Sequence, residues 1–153
     1  MKYDKTQFGT FLIIVFLSFL VLFTFLWYFQ IGKHPLPVNI YLLLCGVMLL
    51  CLLLFYKLRV IVDHTSIKMI YGVGVIRIVI RPKKVNKVDV VRVPFYYGLG
   101  IRTTPTGLLY NIQGGAAVKV SYFNKSERQV LIGSSEPEKL KRVIEANFFS
   151  TVA

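Results

Sequence analysis

The chain has 153 residues, of which 55% are hydrophobic and only 17% are charged, whereas charged residues make up about 25% of an average soluble domain. Its 19 Lys and Arg residues outnumber 7 Asp and Glu residues, so the formal net charge is +12. These values argue against an ordinary soluble globule. The excess of positive charge predicts an anionic surface or partner nearby.

Two long uncharged tracts, at 8–29 and 36–56, contain most of the apolar residues. Each reaches the roughly 20 residues that an α-helix needs to cross about 30 Å of hydrocarbon. We therefore predict two transmembrane helices. A cleaved signal peptide is the alternative for the first tract, but such an apolar core is usually about 7–15 residues long and ends at small residues. Here the tract continues through Trp27, Tyr28 and Phe29.

The segment between the tracts, 30–37, is short and contains one glycine and two prolines, which predicts a helical hairpin with both chain ends on one side. The positive-inside rule places the more basic side in the cytoplasm. Four basic residues flank the outer helix ends and one lies in the connector: Lys2, Lys5, Lys57, Arg59 and Lys33. We expect a multi-pass protein of the plasma (inner) membrane with both termini cytoplasmic, a hairpin at 1–57 and a cytoplasmic domain at 58–153.

Beyond the second tract, short runs of Val, Ile and Tyr alternate with Lys and Arg and are separated by turn residues. This pattern predicts β-strands. An irregular aromatic and glycine stretch at 94–100 leads into 101–103. We predict about seven strands, at 57–62, 67–71, 75–80, 85–93, 108–112, 117–122 and 128–132, at spacings typical of an antiparallel barrel or sandwich.

The last element is predicted to be a helix. Ser135 and Glu138 have the spacing of a capping box, and Pro137 suits the first turn. One apolar stripe then recurs at helical spacing and predicts burial against the end of a barrel, at Leu140, Val143, Ile144 and Phe148. The expected fold is a membrane α-helical hairpin plus a mainly-β domain, in which a pleckstrin-homology-like barrel of about seven antiparallel strands is capped by a C-terminal α-helix.

Several segments carry a resemblance to a known group of proteins: 98–111, Gly114, Ala117 with Val118, and 132–140. The chain resembles small bacterial two-helix membrane proteins with a pleckstrin-homology-like domain, and the likeness covers both predicted helices and everything after them. The resemblance implies this architecture and supplies no catalytic residues. Eukaryotic relatives of the fold often bind phosphoinositides at the first hairpin, but the turn at 63–66 offers little positive charge.

Five basic residues form the strongest candidate for lipid-surface contacts: Arg77, Arg81, Lys83, Lys84 and Lys87, with Arg92 behind them. A domain tethered close to an anionic leaflet gains about 1 kcal/mol per well-placed basic residue. The alternative is a solvent-exposed positive surface that binds no lipid and only follows the positive-inside rule for the orientation of the helices.

A second candidate is a partner patch formed by Tyr96, Tyr97 and Arg102, since aromatic residues and arginine are enriched in the centres of protein interfaces. The alternative is that Pro105 and Gly107 simply make a turn between two strands, with the glycine at positive φ. We do not expect a nucleic-acid partner, because a membrane anchor makes one improbable.

Catalytic chemistry is not indicated. The acidic residues are scattered, and the serines have no histidine partner at a suggestive spacing. Cys45 and Cys51 fall within the second tract, and His34 and His64 are expected on opposite sides of the membrane, so we expect no disulfide, metal site or cofactor.

We therefore predict a non-enzymatic integral membrane protein that presents a cytoplasmic interaction domain as a protein-binding or accessory module. The alternative function is a sensor of anionic lipid headgroups at the cytoplasmic leaflet. The lipid bilayer and a protein partner are the expected contacts, anionic lipids are the partner under the alternative, and a homo-oligomer is compatible with the sequence.

Overall fold

A computed structural model describes residues 2–31, 37–94, 99–105, 107–124 and 126–149. Within these ranges it contains nine strands and three helices. In chain order they are β1 Tyr3–Phe8, α1 Thr10–Tyr28, α2 Val38–Phe55, β2 Lys57–Val62, β3 Ile67–Tyr71, β4 Ile76–Ile80, β5 Lys84–Val93, β6 Gly100–Thr104, β7 Gly107–Asn111, β8 Gly115–Phe123, β9 Glu127–Gly133 and α3 Pro137–Phe148.

Helices α1 and α2 confirm that the two apolar tracts are helical. With 19 and 18 residues, both are long and apolar enough to cross a membrane, and neither contains a residue buried inside the protein. The helices touch each other near the predicted connector, where the rings of Trp27 and Tyr41 stack with centroids 4.9 Å apart. The Thr24 hydroxyl lies 3.2 Å from the Tyr41 hydroxyl. The predicted connector residues 32–36, including Lys33 and His34, lie outside the described residues.

Strand β1 is an element that the sequence analysis did not predict. Its six residues pair antiparallel with β2, from Tyr3 opposite Val62 to Phe8 opposite Lys57. The helical hairpin is therefore inserted between two adjacent strands, and the Gly9 amide donates to the Tyr56 carbonyl (2.8 Å) at its base. The range 1–57 predicted for the hairpin also contains residues of the first sheet, Tyr3–Phe8 and Lys57.

The strands form two open sheets, so the prediction of a barrel of about seven antiparallel strands is wrong in three respects. The first sheet has the order β1-β2-β3-β4 and the second the order β5-β8-β9-β7-β6. Strands β1 and β6 raise the described total to nine, and β7 pairs parallel with β9. The sheets stay open because, among the described residues, the edge strands β1 and β4 pair only with β2 and β3, so neither edge of the first sheet pairs with the second sheet.

A hydrophobic core joins both sheets and α3. Residues with no exposed surface come from every layer, including Val60 of β2, Met69 of β3, Ile132 of β9 and Ile144 of α3. In β2 and β3 the buried residues alternate with more exposed ones, at the two-residue period of strands. Helix α3 packs against β5 and β8, and the predicted stripe is confirmed, with three residues buried and one packed partly buried against the core: Leu140, Val143, Ile144 and Phe148.

The start of α3 differs from the predicted capping box. Glu136, not Ser135, is the N-cap residue, and no side chain caps the helix. Instead, the Glu136 amide donates to the Ser134 hydroxyl (3.0 Å), while its carboxylate accepts from Lys5 Nζ (2.5 Å). The Glu136 carboxylate thus pairs with a residue of β1, 131 positions away in the chain, a contact that a local capping pattern cannot indicate.

The two ends of the sheets differ in their distance from α1 and α2. Strand β1 leads into α1 and β2 starts after α2, so the last residue of β1 and the first residue of β2 lie at the end of the first sheet that is next to the helices. We call this end helix-proximal, and the register places Tyr71 and Ile76 there as well. The Tyr71 hydroxyl donates to the Gly100 carbonyl (3.3 Å), and Gln113 Nε2 donates to the Phe8 carbonyl (2.9 Å). The start of β6 and the β7–β8 turn are therefore also helix-proximal, and the opposite ends are helix-distal.

Candidate functional site

An open cleft lies at the helix-distal end, between the free edge of β4 and the second sheet. Its volume is about 510 Å³. It occupies the gap that closure of a barrel would have filled. The lining residues come from β4, β6, β7, β8 and β9 and the turns next to them: Val79, Ile80, Arg81, Thr103, Gly107, Leu108, Tyr110, Tyr122, Asn124, Arg128, Gln129 and Val130.

The floor of the cleft is part of the hydrophobic core. Tyr110, Tyr122 and Val130 are all buried and belong to the core cluster. Burial raises the pKa of Tyr110, and the neighbouring Tyr122 adds to this effect. The raised pKa holds the Tyr110 hydroxyl more firmly in its neutral form.

One wall depends on a glycine. Gly107 opens β7 with φ +120°, and a Cβ at this position would overlap the carbonyl oxygen of Gln129 in β9. The Thr104 hydroxyl donates to the Gly107 carbonyl (2.7 Å) and holds the turn. This confirms the interpretation of Gly107 as a positive-φ turn glycine between two strands; Thr106 lies outside the described residues.

The rim of the cleft is positively charged. Arg81 and Arg128 are exposed, and within the described chain neither guanidinium group pairs with a carboxylate. Asn124 and Gln129 add amide groups, and the described lining contains no Asp or Glu; the nearest in sequence is the exposed Glu127. The cleft thus combines a free strand edge, an apolar floor and two unpaired cations.

The structure divides the predicted basic cluster between the two ends of the sheets. Arg77 is near the helix-proximal end, where its Nε donates to the Gly74 carbonyl (2.8 Å). Four residues along an extended strand span about 13 Å, so Arg81 lies at the other end. Lys83 and Lys84 are exposed beside β5 at that helix-distal end, and Lys87 pairs with Asp89 (2.9 Å). Arg92 is exposed and helix-proximal, opposite Ala116.

The predicted partner patch is not brought to the cleft. Tyr96 and Tyr97 lie outside the described residues. Arg102 is exposed on β6, and it lines a small groove of about 250 Å³ at the base of the helices. Leu12, Phe16 and Phe55 form the helical side of this groove. Arg102 is therefore helix-proximal.

Sequence reasoning missed the cleft as a site. It singled out Arg81 and Gly107 for other reasons, and it did not select Arg128. The alternation that predicts β4 carries no signal that its outer edge stays unpaired, since pairing depends on residues far away in the chain. Among the described residues, no group of three or more His, Cys, Asp or Glu side chains could hold a metal ion. Cys45 and Cys51 are free cysteines within α2.

Comparisons with protein-family models, curated proteins and solved structures find no match to this chain. The resemblance to small bacterial proteins with a pleckstrin-homology-like domain stays a prediction. The fold and the cleft define the chain as a protein with two apolar helices that could cross a membrane, a mainly-β region of two open sheets and a C-terminal helix.

Proposed function

We propose that this chain is a non-enzymatic integral membrane protein whose β region is a cytoplasmic interaction domain, and that the cleft beside β4 binds an extended segment of a partner protein. The observation that carries this proposal is the unpaired outer edge of β4 next to a cleft with two unpaired arginines.

The binding mode we propose is addition of a strand to β4. An edge strand presents backbone N–H and C=O groups that an extended peptide can pair with. Side chains of such a peptide point alternately to the two faces of the sheet, so every second one can enter the cleft. There the rings of Tyr110 and Tyr122 and the exposed Val79 offer apolar contact.

The partner segment should contain acidic residues. Arg81 and Arg128 line the cleft, and a guanidinium group can donate two parallel hydrogen bonds to one carboxylate. The net charge of +12 favours encounter with an acidic segment, because complementary charge raises association rates. An acidic, extended segment therefore fits both the charge and the shape of the cleft.

The membrane placement is part of the same proposal. Pairing of β1 with β2 keeps both outer helix ends on the side of the sheets, and the basic residues Lys5, Lys57 and Arg59 lie there, which favours the cytoplasm. The order of two sheets followed by a C-terminal helix supports the proposed relationship to pleckstrin-homology-like domains, although the sheets are open.

Photo-crosslinking of the full chain in native membranes tests the cleft. A photoreactive residue at Val79 should give one recurrent adduct, whereas the same residue at Glu138, exposed on α3, should not. Arg81→Glu and Arg128→Glu should each lower the yield at Val79. Arg142→Glu is the matched control, since it changes net charge equally from an exposed position on α3.

Two results would contradict the proposed site. Equal adducts at Val79 and Glu138 would show that the cleft is not selective. An equal loss with Arg142→Glu would show that only net charge matters.

The alternative function, a sensor of anionic headgroups, is supported by Arg77 near the helix-proximal end. Lys83 and Lys84 support it less, because they extend the helix-distal end. Hydrogen exchange of the full chain in nanodiscs separates the two functions. Under the alternative, amides at 76–87 exchange more slowly with anionic than with zwitterionic lipid, and the difference disappears at high salt and in a variant that combines Arg77→Glu, Lys83→Glu and Lys84→Glu.

A further inference from the structure

The turn that joins β3 to β4 is fixed to the end of α2. We call residues 72–75 the tip. The Gly72 amide donates to the Lys57 carbonyl (2.8 Å), and the Val73 amide donates to the Leu53 carbonyl (3.3 Å) in the last turn of the helix. Gly72 has φ +53°, and a Cβ there would overlap the carbonyl oxygens of Leu53 and Leu54. Glycine therefore allows the tip to pack directly against α2.

The tip exposes apolar side chains beside a cation. Val73 is 58% exposed and Val75 is 72% exposed, although both belong to a hydrogen-bonded turn. The Arg77 side chain is drawn back over the turn by its bond from Nε to the Gly74 carbonyl. Apolar groups and a guanidinium are thus held together next to the end of an apolar helix.

The residues around the end of α2 are of the kinds found where a transmembrane helix leaves the bilayer. Helix α2 ends at Phe55, and the next residues are Tyr56 and Lys57, whose Nζ lies 5.1 Å from the Tyr56 ring centre. Aromatic and basic residues of this kind are enriched where helices leave the hydrocarbon. Because the tip contacts the same helical turn, it lies at the same level as this boundary.

We propose that the tip inserts Val73 and Val75 into the phospholipid headgroup layer of the leaflet where α2 ends, with Arg77 contacting lipid phosphate. This inference rests on the proposed crossing of the membrane by α1 and α2. It explains why valines are exposed in a turn that is otherwise fixed: the lipid layer removes them from water. It also orients the cleft, which opens at the helix-distal end, away from the membrane.

Fluorescence quenching measures the depth of the tip. A bimane label is attached to a single cysteine at Val75 or, as the matched control, at Val79, in a Cys45→Ala, Cys51→Ala background. Val79 is also an exposed valine, 49% exposed, but it lies four residues further along the chain, about 13 Å if the backbone is extended. The full chain is reconstituted in vesicles of phosphatidylcholine and phosphatidylglycerol that contain a headgroup-spin-labelled lipid.

We expect several-fold stronger quenching at Val75 than at Val79. Val73→Asp should reduce the quenching at Val75, since a carboxylate resists entry into an anionic lipid layer. A third label at Leu43, in the first half of α2 and 66% exposed, reports on membrane crossing through acyl-chain quenchers.

The outcomes test insertion of the tip separately from membrane crossing by α2. Quenching at Leu43 with no excess at Val75 over Val79 would overturn the insertion of the tip alone. Absence of acyl-chain quenching at Leu43 would overturn the membrane crossing and this inference with it.

Discussion

Two glutamine side chains make nearly the same hydrogen bond in different surroundings. Gln7 Nε2 donates to the Gly133 carbonyl (3.0 Å), and Gln113 Nε2 donates to the Phe8 carbonyl (2.9 Å). Gln7 is 4% exposed, whereas Gln113 is exposed. The first bond connects β1 with the second sheet, and the second bond connects β1 with the turn before β8. Alanine substitutions at the two positions therefore compare the loss of the same kind of hydrogen bond from a buried and from an exposed side chain.

We expect Gln7→Ala to lower the free energy of unfolding by about 1–3 kcal/mol, because it leaves a buried carbonyl without this donor. Gln113→Ala should change it by no more than about 0.5 kcal/mol, since water can replace an exposed side chain. Gln7→Met keeps a side chain of similar length and removes the amide group that donates this bond. It should therefore remain destabilised relative to the wild type.

Urea unfolding of the full chain in detergent micelles, followed by circular dichroism of the β signal, measures all three variants. The reasoning would be refuted by equal losses in the two alanine variants. Wild-type stability in Gln7→Met would show that packing, and not the hydrogen bond, is what Gln7 contributes. Either result would show that this hydrogen bond does not stabilise the packing of β1 against the second sheet.

Three further predictions concern stability and folding. Gly107→Ala should destabilise the protein more than Gly115→Ala in urea, because both glycines have positive φ but only Gly107 would place its Cβ on a backbone carbonyl; equal losses would refute this. Lys5 lowers the pKa of Glu136, so their ion pair stabilises the fold above the usual carboxyl pKa of 4.5, and this stabilisation is lost as pH falls through the lowered value. Acid titration should therefore show a smaller loss of stability in Glu136→Gln, and an unchanged loss would contradict it. Arg102→Ala should leave the urea midpoint unchanged, because its side chain is exposed, and unfolding of this variant would show that the arginine is structural.

Local patterns in the sequence determined the helices and most strand positions. Uninterrupted apolar composition is sufficient to define α1 and α2, because a helix satisfies its own backbone hydrogen bonds. Alternation of apolar and polar residues predicted β2 and β3 with their observed bounds, Lys57–Val62 and Ile67–Tyr71. The stripe at Leu140, Val143 and Ile144 identified the buried face of α3 in the same way.

Strand β1 and the open edge of β4 depended on contacts between distant residues. Tyr3–Phe8 is a strand because it pairs with β2, which follows both helices in the chain, and the six residues carry no strong strand pattern by themselves. In the same way, no residue of β4 indicates that its outer side stays unpaired. Strand pairing is a non-local choice, so the sequence pattern predicted strands without predicting their neighbours.

The candidate site depended on that pairing. Arg81 and Arg128 are 47 positions apart in the sequence (128 − 81), and they line one cleft only because the two sheets leave a gap between β4 and the second sheet. Conversely, Arg77 and Arg81 are close in sequence and were predicted as one cluster, but an extended strand separates residues four positions apart by about 13 Å. Composition therefore determined that the protein is basic and apolar, whereas the tertiary structure decided which cations share a surface.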